Sequence, residues 1–225
     1  MSRDGILDAG AARRLAAMLP NVVDARRSTA LKRNVHEIDV DASAPRVAAA
    51  LADVLADPEA RFGVISVRRP PARTGRTFVV GDRFTGAFRV AAAATAWGAP
   101  AWLRALLARA DRAGVLPWLE NRLTSDHAEL TELRAIGDTH QMAYRYLAGT
   151  PLAGESRYAI APHPGDRDRC RMTVTFAFQE TTAWAVLLLH GFGIRQHDRA
   201  VLAQAEAAAR RIGARVVAHT IQSTS

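Results

Sequence analysis

The sequence predicts an α+β domain in which an antiparallel sheet carries a long C-terminal helix. Three observations point there. Cys170, Met172, Val174, Phe176 and Phe178 alternate with Arg171, Thr173, Thr175, Ala177 and Gln179, the period of two that separates the faces of a strand. A second alternating run, His140, Met142, Tyr144 and Tyr146, precedes it. An amphipathic helix follows from about Arg195 to Ile212, with Val201, Leu202, Ala205, Ala208, Ala209 and Ile212 on one side and Gly213 as its C-terminal cap.

The remaining elements follow in chain order. Leu7, Ala11, Leu15, Met18 and Leu19 make one stripe of a helix from Ile6 to Leu19, ended by Pro20. Val35 to Asp41 alternates as a strand, with His36, Ile38 and Val40 on one face. Ser43 can cap the next helix and Pro45 suits its first turn; Val47, Leu51, Val54 and Leu55 give its buried side, and Asp57-Pro58 stops it. Short strands are expected at Val64–Val67, Thr77–Val80 and Arg83–Val90, the last two joined at Gly81-Asp82. Trp102, Leu103, Leu106, Leu107 and Ala110 then repeat at three and four, and Leu116, Trp118, Leu119 and Leu123 continue after Gly114, so 99–123 reads as a helical insertion. Strands resume at His127–Ile136, His140–Leu147 and around Ser156, Tyr158 and Ile160. The chain therefore divides into an N-terminal helical extension at 1–33, one domain at 34–213, and a C-terminal tail at 214–225.

Composition narrows the function. The 225 residues carry 30 Lys and Arg against 22 Asp and Glu, a formal charge of +8. Lys32 is the only lysine, and the arginines are scattered singly and in pairs among acids. A nucleic-acid binder gathers its cations on one face or interleaves them with exposed aromatics, so the expectation is no nucleic-acid partner. Cys170 is the single cysteine, which excludes an internal disulfide and a multi-cysteine metal site, and its place on an apolar strand face makes it a core residue. The start of the chain lacks a signal-peptide pattern, and the longest apolar run, Ala183 to Leu189, is too short to span a bilayer. The expectation is a cytoplasmic protein with no stable membrane insertion.

The segments Val35–Val47, Val80–Phe84, Ala153–Tyr158 and Thr173–Phe176, in the order strand, helix, antiparallel strands, long helix, resemble the START-like, or SRPBCC, superfamily over residues 34–213. The helical block at 99–123 is longer than that family's usual connection, and residues 1–33 have no counterpart in it. The resemblance implies a helix-grip fold, a strongly curved antiparallel sheet around the last helix, with an elongated apolar cavity between them. It implies a hydrophobic small molecule as partner, without metal or organic cofactor, and allows a homodimer. The activity it suggests is polyketide cyclase-like: cyclisation, dehydration or isomerisation by acid–base catalysis. The alternatives are a non-catalytic lipid or hydrophobe carrier, and an interaction protein whose cavity has collapsed.

The candidate catalytic groups are His140, Tyr144 and Tyr146, whose imidazole and phenols can exchange protons with a ligand carbonyl or enolate. The candidate ligand-binding residues are His36, Met142, Tyr158, Met172, Val174, Phe176, Phe178 and, at the mouth, Arg157; Arg145 shares its outer face. Three other strings read as structure. Leu187 to Gly193 resembles the oxyanion-hole segment of α/β-hydrolases, but no Gly-x-Ser-x-Gly elbow exists in the chain; a bend before the last helix is the simpler reading. His190 and His197 are two helical turns apart, with Asp198 expected to point elsewhere, so no metal site is expected. Asp166 and Asp168 are too few for a calcium loop. Trp102 and Trp118 suggest either a lid or surface helix, or packing onto the sheet.

Overall fold

The computed structural model describes residues 31–57, 60–68, 77–96, 98–123, 126–181 and 194–224. The predicted helix at 6–19 and the string 187–193 lie outside them. Strand β1 spans Lys32–Val40, α1 Ala44–Ala56, β2 Arg61–Phe62, β3 Ile65–Arg68 and β4 Arg83–Phe88. Helices α2 (Val90–Ala96), α3 (Ala101–Arg112) and α4 (Val115–Leu123) follow, then β5 (Asp126–Ile136), β6 (Thr139–Tyr146), β7 (Leu152–His163), β8 (Asp166–Glu180), α5 (Ile194–Arg211) and β9 (Val216–Thr224).

The nine strands form one sheet in the order β2-β3-β4-β5-β6-β7-β8-β1-β9, and every pairing is antiparallel. Laid flat, its outer strands would stand about 38 Å apart at about 4.8 Å per strand. A helix is only about 10 Å across, yet α5 touches β2 and β3 at one end and β1 and β9 at the other. The sheet must therefore curl around α5. This is the helix-grip layout that the START-like resemblance implied.

The core lies where α1 and α5 meet the concave face: Ile38 and Val40 from β1, Val47 and Leu51 from α1, Leu130, Met172 and Val174 from the sheet, and Ala205, Ala208 and Ala209 from α5. The small side chains on α5 let helix and sheet approach closely. Its last turn closes on Gly213 at φ 70, with the Ala214 N–H donating to the Ala209 carbonyl; only the left-handed backbone allows that wrap.

Several local expectations change. Thr77–Val79 is not a strand, although Phe78 is buried; Gly81 instead donates its N–H to the Leu130 carbonyl of β5. Ser43 occupies the N-cap of α1 but its side chain makes no capping bond. The tail 214–225 contains β9, which pairs with β1 from Arg33↔Thr224 to Val40↔Val216. The helical block starts earlier than residue 99, with α2 at Val90, whose N–H donates to the buried Glu120 Oε1 of α4 at 2.6 Å. Trp102 and Trp118 stand largely in solvent, 58% and 60% exposed. Among the described residues, no helix is long and apolar enough to cross a membrane.

Candidate functional site

Strand β5 decides which residues meet in the interior. Its pairing with β6 shifts between Leu130 and Glu132, so Thr131 is an extra residue, and its hydroxyl donates to the Ala143 carbonyl at 3.2 Å. A bulge of this kind reverses the parity of the strand and bends it. Before it, Ala128 and Leu130 face inwards opposite Tyr146 and Tyr144; after it, Leu133 and Ala135 stand opposite Met142 and His140.

Two hollows result. On one side of the bulge, Phe84, Asp126, Tyr144, Tyr146, Tyr158 and Phe176 of the sheet, with His197, Ala200, Val201 and Gln204 of α5, line a partly open, mainly apolar cavity of about 120 Å3. On the other, an open apolar groove of about 350 Å3 runs between α1 and β5–β7, lined by Leu51, Leu133, His140, Met142 and Ile160. Tyr158 borders both. The groove is larger, but the cavity holds the concentrated acid–base chemistry.

That chemistry starts with Asp126, absent from the sequence reading. Burial pushes its carboxyl from 3.8 up to about 7, against the pull of the Leu152 N–H, which donates to Oδ1 at 3.1 Å. A carboxylic acid near neutrality can both give and take a proton. Tyr146 lies across the sheet from Ala128, and burial, then Tyr144 and Asp126, hold its phenol well above the ordinary value. Tyr158 is raised in the same way, by burial first and Tyr144 next, and its hydroxyl donates to Gln204 Oε1 at 2.7 Å. The phenols therefore stay protonated and act as donors. Tyr144 stands edge-on to Phe84 and Tyr146, with ring centres 5.0 and 5.9 Å apart. Ser156 Oγ is buried and makes no hydrogen bond of acceptable geometry, although it lies close enough to the Tyr146 phenol to lower it.

The expected trio is thus divided. Tyr144 and Tyr146 share the cavity, whereas His140, four residues away along β6, lines the outer groove. Of the expected binding residues, Tyr158 and Phe176 line the cavity. Phe178 stacks behind Phe176 at 4.3 Å, Met172 and Val174 are core, and Met142 lines the groove. Arg157 lies outside, paired with Glu155 and Glu132 at 3.1 and 3.7 Å. Arg145 is also exposed. Cys170 is buried, and burial followed by the Asp39 charge pushes its thiol up to about 12, so it is inert, as its strand face suggested.

His36 occupies a second polar cluster, where β1, β9 and α5 meet. It is fully buried, and its Nδ1 lies 3.1 Å from His219 Nε2. Its Nε2 stands 3.3 Å from Asp198 Oδ1 but is not aligned as a hydrogen bond. Asn34 Nδ2 donates to the same carboxylate oxygen at 2.6 Å, and Ser223 Oγ donates to Asn34 Oδ1 at 3.1 Å. His197 stacks on Phe176 at 4.1 Å, and its Nδ1 is buried without a partner. Burial, then the neighbouring His36, push its ring down to about 4. Asp198 does not point elsewhere, as the helical spacing had suggested: ligand atoms of His36, His197 and Asp198 lie within 4.8 Å of one another. The helix turns about 100° between residues 197 and 198, and His36 from β1 stands within reach of both.

No family model matches the chain, and no curated protein matches it. Among solved structures it is similar to the Zhui aromatase/cyclase of a Streptomyces species, at 19% identity over 80% of this chain and 96% of that one, TM-score 0.48. It is also similar to norcoclaurine synthase from Thalictrum flavum in complex with dopamine and hydroxybenzaldehyde, at 12% identity over 91% and 95%, TM-score 0.43. A third is a conserved protein from Geobacillus kaustophilus, at 10% identity over 84% and 99%, TM-score 0.44.

Proposed function

We propose that the chain is a START-like, SRPBCC-type protein that binds a small hydrophobic, ring-bearing molecule in the cavity between β4–β8 and α5 and moves protons on it. The observation that carries this reading is Asp126, a carboxyl pushed up to about 7, which shares an apolar cavity with Tyr144, Tyr146 and Tyr158. A buried acid without a countercharge destabilises a fold, so its presence beside three phenols favours a role in binding or chemistry. An apolar cavity of about 150 Å3 holds one benzene, so about 120 Å3 accommodates one ring of the ligand.

The ionised Asp126 would take a proton from a carbon next to a ligand carbonyl, and the C–H electron pair would pass to the oxygen as an enolate. Tyr144 and Tyr146 would donate hydrogen bonds to that oxygen, which are strong where water is excluded. The proton held by Asp126 then returns to a different carbon, an isomerisation, or to a departing hydroxyl, a dehydration.

Two measurements test this. Phenol should bind the wild-type chain at one site by calorimetry, and Ala200→Leu, which fills the cavity from α5, should weaken binding at least about tenfold at a stability cost of about 1–3 kcal/mol. Equal affinity in both proteins would remove the cavity as the site. In deuterated water, the wild type should speed exchange at the carbons beside the carbonyl of cyclohexenone, and Asp126→Asn should lower that rate about 100-fold or more while still binding phenol. Binding with no acceleration of exchange would leave the non-catalytic carrier as the correct reading.

A further inference from the structure

Where β1, β9 and α5 meet, two buried ring nitrogens without a hydrogen-bond partner come together beside one carboxylate. His36 and His197 each keep a buried ring nitrogen, Nε2 and Nδ1, without a hydrogen-bond partner. A buried polar atom left unpaired costs about 1–3 kcal/mol, and two of them beside one carboxylate call for a shared occupant. We propose that His36, His197 and Asp198 form the protein ligands of a divalent transition-metal ion, of the Zn2+ or Fe2+ class, held between β1 and the first turns of α5.

The spacing supports it. Two ligands on one tetrahedral zinc, with bonds of about 2.0–2.1 Å, stand about 3.3 Å apart. His36 Nε2 and Asp198 Oδ1 have that separation, 3.3 Å. The three ligand atoms lie within 4.8 Å of one another. Two imidazoles and a carboxylate suit borderline ions and leave coordination positions open.

The surroundings fit the same role. Metal-bound histidines pass their other ring N–H to an acceptor that fixes tautomer and orientation; His36 Nδ1 meets His219 Nε2 at 3.1 Å. The carboxylate is held in turn by Asn34 at 2.6 Å, itself bonded to Ser223. Because His197 also lines the cavity, the ion would stand beside that wall. This inference does not depend on the acid–base reading above: it is read by metal binding alone.

The test uses the full chain without a polyhistidine tag, stripped with a chelator and titrated with Zn2+ and with Co2+. One equivalent per chain should bind, cobalt should give the visible absorption of nitrogen and oxygen coordination, and zinc in excess should raise the melting temperature with the logarithm of its concentration. Asp198→Asn and His197→Gln should each weaken zinc binding at least about tenfold, whereas His163→Gln, remote on the outer face, should leave it unchanged. No saturable binding, or undiminished binding in the two ligand variants, would overturn the proposal. Should either variant fail to fold, X-ray absorption at the zinc edge of the wild type decides: a shell of two imidazoles and one carboxylate supports the site, and any other protein ligand set overturns it.

Discussion

Asp126→Asn should make the protein more stable at pH 8, and by nearly nothing at pH 4. The carboxyl of Asp126 is raised from 3.8 to about 7 by burial, so between those values the folded chain holds a proton that the unfolded chain releases. Stability falls with pH wherever the folded state binds more protons. The contribution of Asp126 is therefore best below about pH 4 and is lost as pH rises towards 7. Three pK units correspond to about 4 kcal/mol, an upper value for what the substitution recovers. Asparagine keeps the shape and the oxygen that accepts the Leu152 N–H, so little else changes. Asp39, lowered by its hydrogen bond from Arg171, and His197, lowered by burial, impose the opposite slope. Both are common to the two proteins, so the difference between variant and wild type isolates Asp126. Urea denaturation at the two pH values reads it, and an equal gain at both would refute the buried charge as its cause.

Gly154→Ala should cost about 3 kcal/mol or more, a large part of the roughly 5–15 kcal/mol that holds a domain folded. Gly154 lies in β7 opposite Phe178 of β8 with φ 129, backbone that residues with a Cβ rarely adopt. A methyl group there would overlap the Ala177 carbonyl oxygen and stand 2.9 Å from Phe178 Cα. Both obstacles are backbone of the paired strand β8 and cannot swing aside. Strain and overpacking of this kind cost about 1–3 kcal/mol each. Gly149, at φ 84 with open space around it, isolates the first component. Gly149→Ala should cost about 1 kcal/mol, and melting curves of the two variants should differ clearly. Equal losses would show that the close approach to β8 carries no weight.

Much of the fold was legible because burial in this sheet is one-sided. The inward residues of β1 and β8 repeat every second position, and the stripe on α5 every third or fourth, so pattern alone placed them. It failed where burial does not follow pattern. Residues of β9 show neither a polar–apolar alternation nor a buried face, as an edge strand can, and read as a tail. Thr77–Val80 looked like a strand because it is rich in β-branched residues, but only Phe78 is buried. The apolar spacing of α3 does not pack inwards: none of its residues is buried.

The site was legible in part. Tyr144, Tyr146, Tyr158 and Phe176 could be read from strand faces, and they meet. His140 could not be separated from them, because parity does not say where a bulge will divide one face into two hollows. Asp126 opens a strand, where an acid ordinarily meets water, and only its contact with the Leu152 backbone shows otherwise. The sequence pairs His197 with His190, seven positions earlier, whereas the imidazole of His36 that stands beside it belongs to β1, far away in sequence; no local spacing carries that signal.

The extra residue in β5 has a consequence for how this sheet can vary. Thr131 lets the concave face serve two hollows with one continuous strand, the cavity before it and the open groove after it, with Tyr158 as the common wall. What the strand must preserve at that point is a count and not a side chain. Any residue that fits the bulge keeps Leu133 and Ala135 on the groove, whereas gaining or losing a single position exchanges the inward and outward sets from there to the end of the strand. Chains sharing this architecture can thus change the lining of one hollow and leave the other untouched, through length alone.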